Sequence, residues 1–162
     1  MKTKDIAVIG LLVALSFVLG LVKIPGTSIA LDSAPAFLAV FIFKDYKGAV
    51  IGALGHLLSA AGVGFMPLGV PIHLMTAAIM FIMLYLAAIL AKKFNVAVGM
   101  GVIFLINAFI APLVVFVVQP FSVEVYSGLI IMLAPATIAN LLIAVAVLRP
   151  AKGALARYVD IS

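Results

Sequence analysis

Six apolar runs separated by short polar turns make up almost the whole chain. They predict an all-α integral membrane protein with helices over residues 5–22, 34–43, 46–62, 71–92, 96–118 and 125–148, all within one domain, residues 1–162. The second run is the exception in length. Ten residues rise only about 15 Å as a helix, against a hydrocarbon thickness of roughly 30 Å. By length alone it reads as re-entrant. Asp32 and Ser33 just before it suit an N-cap, and Pro35 suits a first turn, where its missing N–H costs little.

Charge decides between crossing and re-entry. Lys2 and Lys4 precede the first run, and Lys44-Asp45-Tyr46-Lys47 separates the second from the third. Lys92-Lys93 follows the fourth run, and Arg149, Lys152 and Arg157 follow the sixth. If all six runs cross and the N-terminus is inside, nine of the ten Lys and Arg residues are cytoplasmic and only Lys23 is outside. If the short run does not cross, only Lys2 and Lys4 remain inside. The positive-inside bias therefore predicts six transmembrane helices with N- and C-termini cytoplasmic. The short helix must then tilt, extend into its loop or be sheltered by its neighbours. Loops 23–33, 63–70 and 119–124 face out in this scheme, with Asp32 and Glu124 at the membrane edge.

Composition agrees on the solvent. The 162 residues are 67% hydrophobic and only 9% charged, with a mean hydropathy of +1.44. A chain this short cannot hide so much apolar surface in a water-soluble core. There is no cysteine, which excludes disulfides, thiol catalysis and Cys-based zinc sites. The net charge of +5 is spread singly or in pairs between apolar runs, so it reads as a topology signal and not as a nucleic-acid surface. The first run ends in Lys23-Ile24-Pro25 without a small-x-small cleavage pattern.

The polar residues inside the runs are few. Counted from the inner ends of their helices, His56, Asn107 and Asn140 all fall near the bilayer midplane. An intramembrane polar side chain faces the bundle interior or a cavity and has a partner, so the three are expected in one layer. Pro112 and Pro135 each free a carbonyl in neighbouring helices, which predicts a widened, partly wet gap in the outer half. One reading is a ligand pocket open to the outside with that layer as its floor. The other is a structural knot of interhelical hydrogen bonds. His73 at the outer start of the fourth helix, Thr76 one turn below it, and Tyr126 near the outer rim are candidates for the pocket rim. His73 is equally placed for an interfacial histidine with no role, and belt anchoring is the more common role of a ring placed like Tyr126.

Gly48, Gly52, Gly55, Ser59 and Gly62 form a stripe at intervals of four and three, suited to close helix packing. Gly10 and Ala14 form a small-xxx-small pair in the first helix, suited to close approach of another helix in this protein or a partner. No phosphate-binding loop, catalytic triad, paired carboxylate or metal-ligand motif is present, and the chain has no means of its own to hydrolyse ATP. A self-sufficient channel or carrier would need a charged relay within the membrane, and none of the five acids lies mid-helix. An intramembrane enzyme would need a nucleophile at the depth of His56, and no good one is there.

The short second helix DSAPAFLAVFIF, the basic turn, KGAVIGALGHLLSA and the Gly10/Ala14 pair resemble the substrate-binding S components of energy-coupling factor (ECF) transporters, over essentially the whole chain. DSAPAF…GALGHLLSA followed by PLGVPIHL is most similar to the branch assigned to alpha-ribazole, a cobalamin-precursor nucleoside. The resemblance implies a binding protein without cofactor or catalytic site in a prokaryotic plasma membrane. It would capture a vitamin-like ligand from outside and dock on a transmembrane T subunit driven by two cytoplasmic ATPases. It assigns Gly10 and Ala14 to the T-subunit interface, Asp32 to ligand hydroxyls, and an inward face to His56 and Ser59, one helical turn apart.

Overall fold

The computed structural model describes residues 2–21, 30–66 and 68–158. Lys23, most of the first outward loop and the end of the first run lie outside the described residues.

The first helix, α1 (Thr3–Leu21), buries Val8, Ile9, Leu12 and Ser16 on one stripe. The second, α2 (Ala34–Phe43), buries all ten of its residues, and Phe37, Ala39, Val40 and Ile42 have no exposed surface. It packs against α1, the third helix α3 (Tyr46–Gly62), the fourth helix α4 (Gly69–Lys93) and two later helices. Its shortness is thereby explained: a helix enclosed by other helices need not match the thickness of a bilayer it does not touch. The expected capping is different in detail. Ser33 takes the N-cap place with helical backbone angles and makes no capping bond; its Oγ donates to Asp32 Oδ1 at 3.3 Å.

The turn between α2 and α3 is tight because Lys44 adopts a left-handed conformation, φ 52°, with its N–H bonded to Val40 O at 3.0 Å. Asp45 then caps α3 by accepting from Lys47 N at 2.8 Å and pairs with Lys47 Nζ at 2.9 Å. The glycine stripe is where α3 meets its neighbours. A Cβ on Gly48 would lie 2.7 Å from Val40 N, and one on Gly55 would lie 2.8 Å from Ser16 Cβ. Gly52 faces Leu84 of α4, and Gly62 faces Phe17 of α1.

The fifth run is not a uniform helix. It begins as α5 (Val96–Leu105), capped by Asn95 accepting from Val98 N at 3.0 Å. It widens to a π-turn at Ile106–Ile110 and tightens to a 3₁₀ segment at Ala111–Val117. Pro112 is the cause: it has no N–H for the carbonyl one turn back, and its ring crowds that carbonyl. The sixth run is likewise divided. Helix α6 (Val123–Ala146) stops before a short helix, α7 (Leu148–Leu155), which the sequence pattern did not separate. Leu148, Ala151 and Leu155 turn one face of α7 to the core, where it packs on α2 and α6.

All regular elements among the described residues are helical. Four segments, Thr3–Leu21, Gly69–Lys93, Val96–Val117 and Val123–Ala146, are long and apolar enough to cross a membrane. The α2 and α3 helices, which the charge pattern also sends across, have 10 and 17 residues.

Candidate functional site

A cavity of about 300 Å³ opens among the start of α2, the middle of α3, the first turns of α4, the distorted part of the fifth segment and α6. Its walls are mostly apolar, with Phe37, Met80, Val114, Val115, Leu129 and Leu133 among them. It lies at the end of the bundle away from the basic turns. Lys44, Lys92 and Lys93 gather at the opposite end, where α2 and α4 finish.

Asp32, His56, His73, Thr76, Asn107 and Asn140 all border this cavity. They come from five segments that the chain brings together only by folding. His56 and His73 form a pair the sequence reading did not anticipate. His73 Nδ1 lies 3.2 Å from His56 Nε2, and the ring centroids are 5.3 Å apart. A signal was available: the two lie nearly equal distances either side of the α3–α4 turn, so an antiparallel hairpin sets them opposite each other. No group of three His, Asp or Glu converges among the described residues.

Asn107 sits on the π-turn, whose extra width turns its side chain toward α6. Its Nδ2 donates to Thr137 Oγ1 at 2.7 Å, and Thr137 donates to Leu133 O at 2.7 Å. Asn140 is 2% exposed; its Nδ2 donates to Ala30 O at 2.9 Å and Ala136 O at 2.8 Å. The expected layer of His56, Asn107 and Asn140 is therefore present as a shared wall, but the three do not bond to one another. Each has its own partner. Thr137 was missed by the sequence reading although it stands three residues before Asn140, on the same face of α6. Burial raises the pKa of Asp32 above its ordinary 3.8, and bonds from Ser33 oppose the shift.

Ser59 and Tyr126 do not border the cavity. Ser59 faces α1, where its Oγ would lie 2.8 Å from a Cβ on Gly20; that hydroxyl is buried without a partner. Three residues fall about 60° short of a full helical turn, enough that His56 meets the cavity and Ser59 meets a helix. Tyr126 donates its hydroxyl to Phe109 O at 2.8 Å, satisfying a carbonyl of the π-turn. The two prolines also part company: Pro112 borders the cavity, while Pro135 is exposed on the outer side of α6. Gly10 and Ala14 are exposed, and a Cβ on Gly10 would meet nothing within 4 Å, so Gly10 makes no internal packing contact.

The profile of one protein family, described as ECF transporter, substrate-specific component, matches residues 4–151. The chain belongs to this family. As an S component it is a membrane transport subunit and not an enzyme, and membership implies a small-molecule substrate together with the ECF T subunit and ATPase module. A search of curated proteins finds no match, and a search of solved structures finds none either. The enclosed α2 helps to frame the cavity: Asp32 precedes it and Phe37 stands on it.

Proposed function

We propose that this S component captures alpha-ribazole from the outer side of a prokaryotic plasma membrane and passes it to its ECF partners for uptake. The observation that carries the reading is the cavity itself. It has mostly apolar walls and a few convergent polar groups, the kind of site that suits an apolar bicyclic base joined to a polar sugar. In this reading Asp32, His56, His73, Thr76, Asn107 and Asn140 contact the ligand.

The topology proposed with it is six crossings with both ends cytoplasmic. Two features support that choice. Lys2–Asp5 and Ala156–Tyr158 border one shallow pocket, so the described ends of the chain meet. The basic clusters lie at the end remote from the cavity, which suits the positive-inside rule. Gly10 and Ala14 on the open face of α1 are proposed to receive the T subunit. Substitution of both by leucine should leave fold and ligand affinity intact and abolish co-purification with the T subunit and ATPases; retained co-purification would move the interface elsewhere.

The direct experiment is calorimetric titration of the detergent-purified chain with alpha-ribazole, with thiamin and riboflavin as controls. Nanomolar binding of alpha-ribazole alone is expected. Tight binding of a control instead would keep the S component and discard this ligand.

A further inference from the structure

Apart from the His56–His73 pair, the hydrogen-bonding capacity left on the cavity's side chains is that of acceptors. Asn140 spends both Nδ2 protons, on Ala30 O and Ala136 O. Those acceptors fix the amide, because turning it over would set Oδ1 against two carbonyl oxygens and lose both bonds. Its Oδ1 is left buried and without a partner. A buried acceptor without a protein partner favours a ligand that brings a donor to it over one that brings only lone pairs.

Asn107 repeats the arrangement. Thr137 Oγ1 has given its own proton to Leu133 O, so it can only accept, and Asn107 must present nitrogen to it. Asn107 Oδ1 then faces away from that bond and makes no hydrogen bond among the described residues. Thr76 Oγ1 donates to Ile72 O at 2.9 Å and Ser33 Oγ to Asp32 Oδ1, which leaves both hydroxyl oxygens as acceptors. Among the described residues the wall carries no Lys or Arg. The His56–His73 pair is the exception: whichever ring donates the inner bond, one outer nitrogen, His73 Nε2 or His56 Nδ1, keeps an N–H and the other is an acceptor. Its inner bond can be donated by either ring, and the choice makes the buried, unpartnered His73 Nε2 an acceptor or a donor.

We infer that the cavity selects by hydrogen-bond polarity: it takes an uncharged or cationic ligand carrying several O–H or N–H donors on an apolar frame, and turns away phosphate monoesters of the same frame. A phosphate dianion offers only lone pairs. Set against Asn140 Oδ1 and Asn107 Oδ1 it leaves both unpaired, and it brings a charge into an apolar cavity beside Asp32 with no described cation to receive it. A ligand hydroxyl or ammonium satisfies the same atoms and favours the ionised form of Asp32.

The inference rests on the cavity being the substrate site. Its test is equilibrium binding of the full chain in detergent to three alcohol–phosphate pairs: alpha-ribazole and its 5′-phosphate, thiamin and thiamin monophosphate, riboflavin and flavin mononucleotide. Whichever alcohol binds, its phosphate should bind at least about 100-fold more weakly. A phosphate that binds as tightly as its alcohol overturns the inference and leaves the cavity as the substrate site. No binding by any of the six at about 1 mM overturns the inference as an account of what the cavity accepts. Co-purification with the T and ATPase subunits, scored on the same preparation, then tells whether the capture role survives.

Discussion

Replacing Gly48 by alanine should unseat the central helix. The added Cβ would lie 2.6 Å from Val40 Cγ2, 2.7 Å from Val40 N and 2.8 Å from Val40 Cα. Ordinary carbon contacts are about 3.5–4.0 Å, so α2 and α3 must part by about 1 Å at this point. Two of the three atoms are backbone and cannot rotate away. Val40 is fully buried and α2 is enclosed by its neighbours, so α2 has nowhere to retreat. Overpacking of this kind costs about 1–3 kcal/mol, and the upper end applies to a backbone clash. Alanine returns about 1 kcal/mol through helix propensity, leaving a net loss of about 2 kcal/mol. Thermal unfolding of the purified chain in mild detergent should register this as a Tm lower by roughly 5 °C. Gly10→Ala is the matched control, since a Cβ there meets nothing within 4 Å. It should be neutral or slightly stabilising. Because Asp32 and Phe37 border the cavity from α2 and its approach, Gly48→Ala should also weaken ligand binding. Equal Tm values for the two variants would refute the argument that close approach at Gly48 holds α2 in place.

Tyr126→Phe removes the donor to Phe109 O and should lower stability by about 1 kcal/mol, read as Tm, while leaving affinity for alpha-ribazole unchanged; a loss of affinity would return Tyr126 to the site. Asp32→Asn separates binding from stability. The folded-state pKa of Asp32 is raised, so the native protein holds this proton more tightly than the unfolded chain. Its contribution is fully present below the ordinary value of 3.8 and is lost as pH rises through the raised folded value. The ligand-free Asp32→Asn variant should therefore melt above the wild type at neutral pH, with the difference shrinking toward acid, and should bind the ligand at least about tenfold more weakly. A melting difference that is independent of pH would show that the carboxyl carries no such penalty.

Much of the outline was legible in residue order. The apolar runs name the helices within a few residues: 34–43 and 46–62 match α2 and α3, and 71–92 falls inside α4. Both division points were less legible. The break at Val147 had a signal that went unread: Arg149 ends the apolar run and Pro150 sits in the first turn of α7, where its missing N–H costs little. The π-turn at Ile106–Ile110 could be suspected from Pro112, but not its extent. Of the residues expected at the cavity, those that border it include polar side chains stranded in apolar runs, such as His56, Asn107 and Asn140, because such a group needs a partner wherever the helix points. Ser59 was given an inward face by the family resemblance and Tyr126 was placed by its position near the outer rim, and neither says which way the side chain turns in this chain.

The amino-acid order by itself determined the solvent, the helices and the small set of polar atoms available to a ligand. Partition between lipid and water depends on composition added up along a run, so it needs no knowledge of neighbours. Folding decided that α2 lies inside the bundle, that His73 meets His56, and that the amides of Asn107 and Asn140 turn their oxygens free. Those outcomes depend on how each helix is rotated about its axis. One residue of slip turns a side chain by about 100°, enough to exchange a cavity wall for a packed interface, and only the contacts between helices hold that rotation in place.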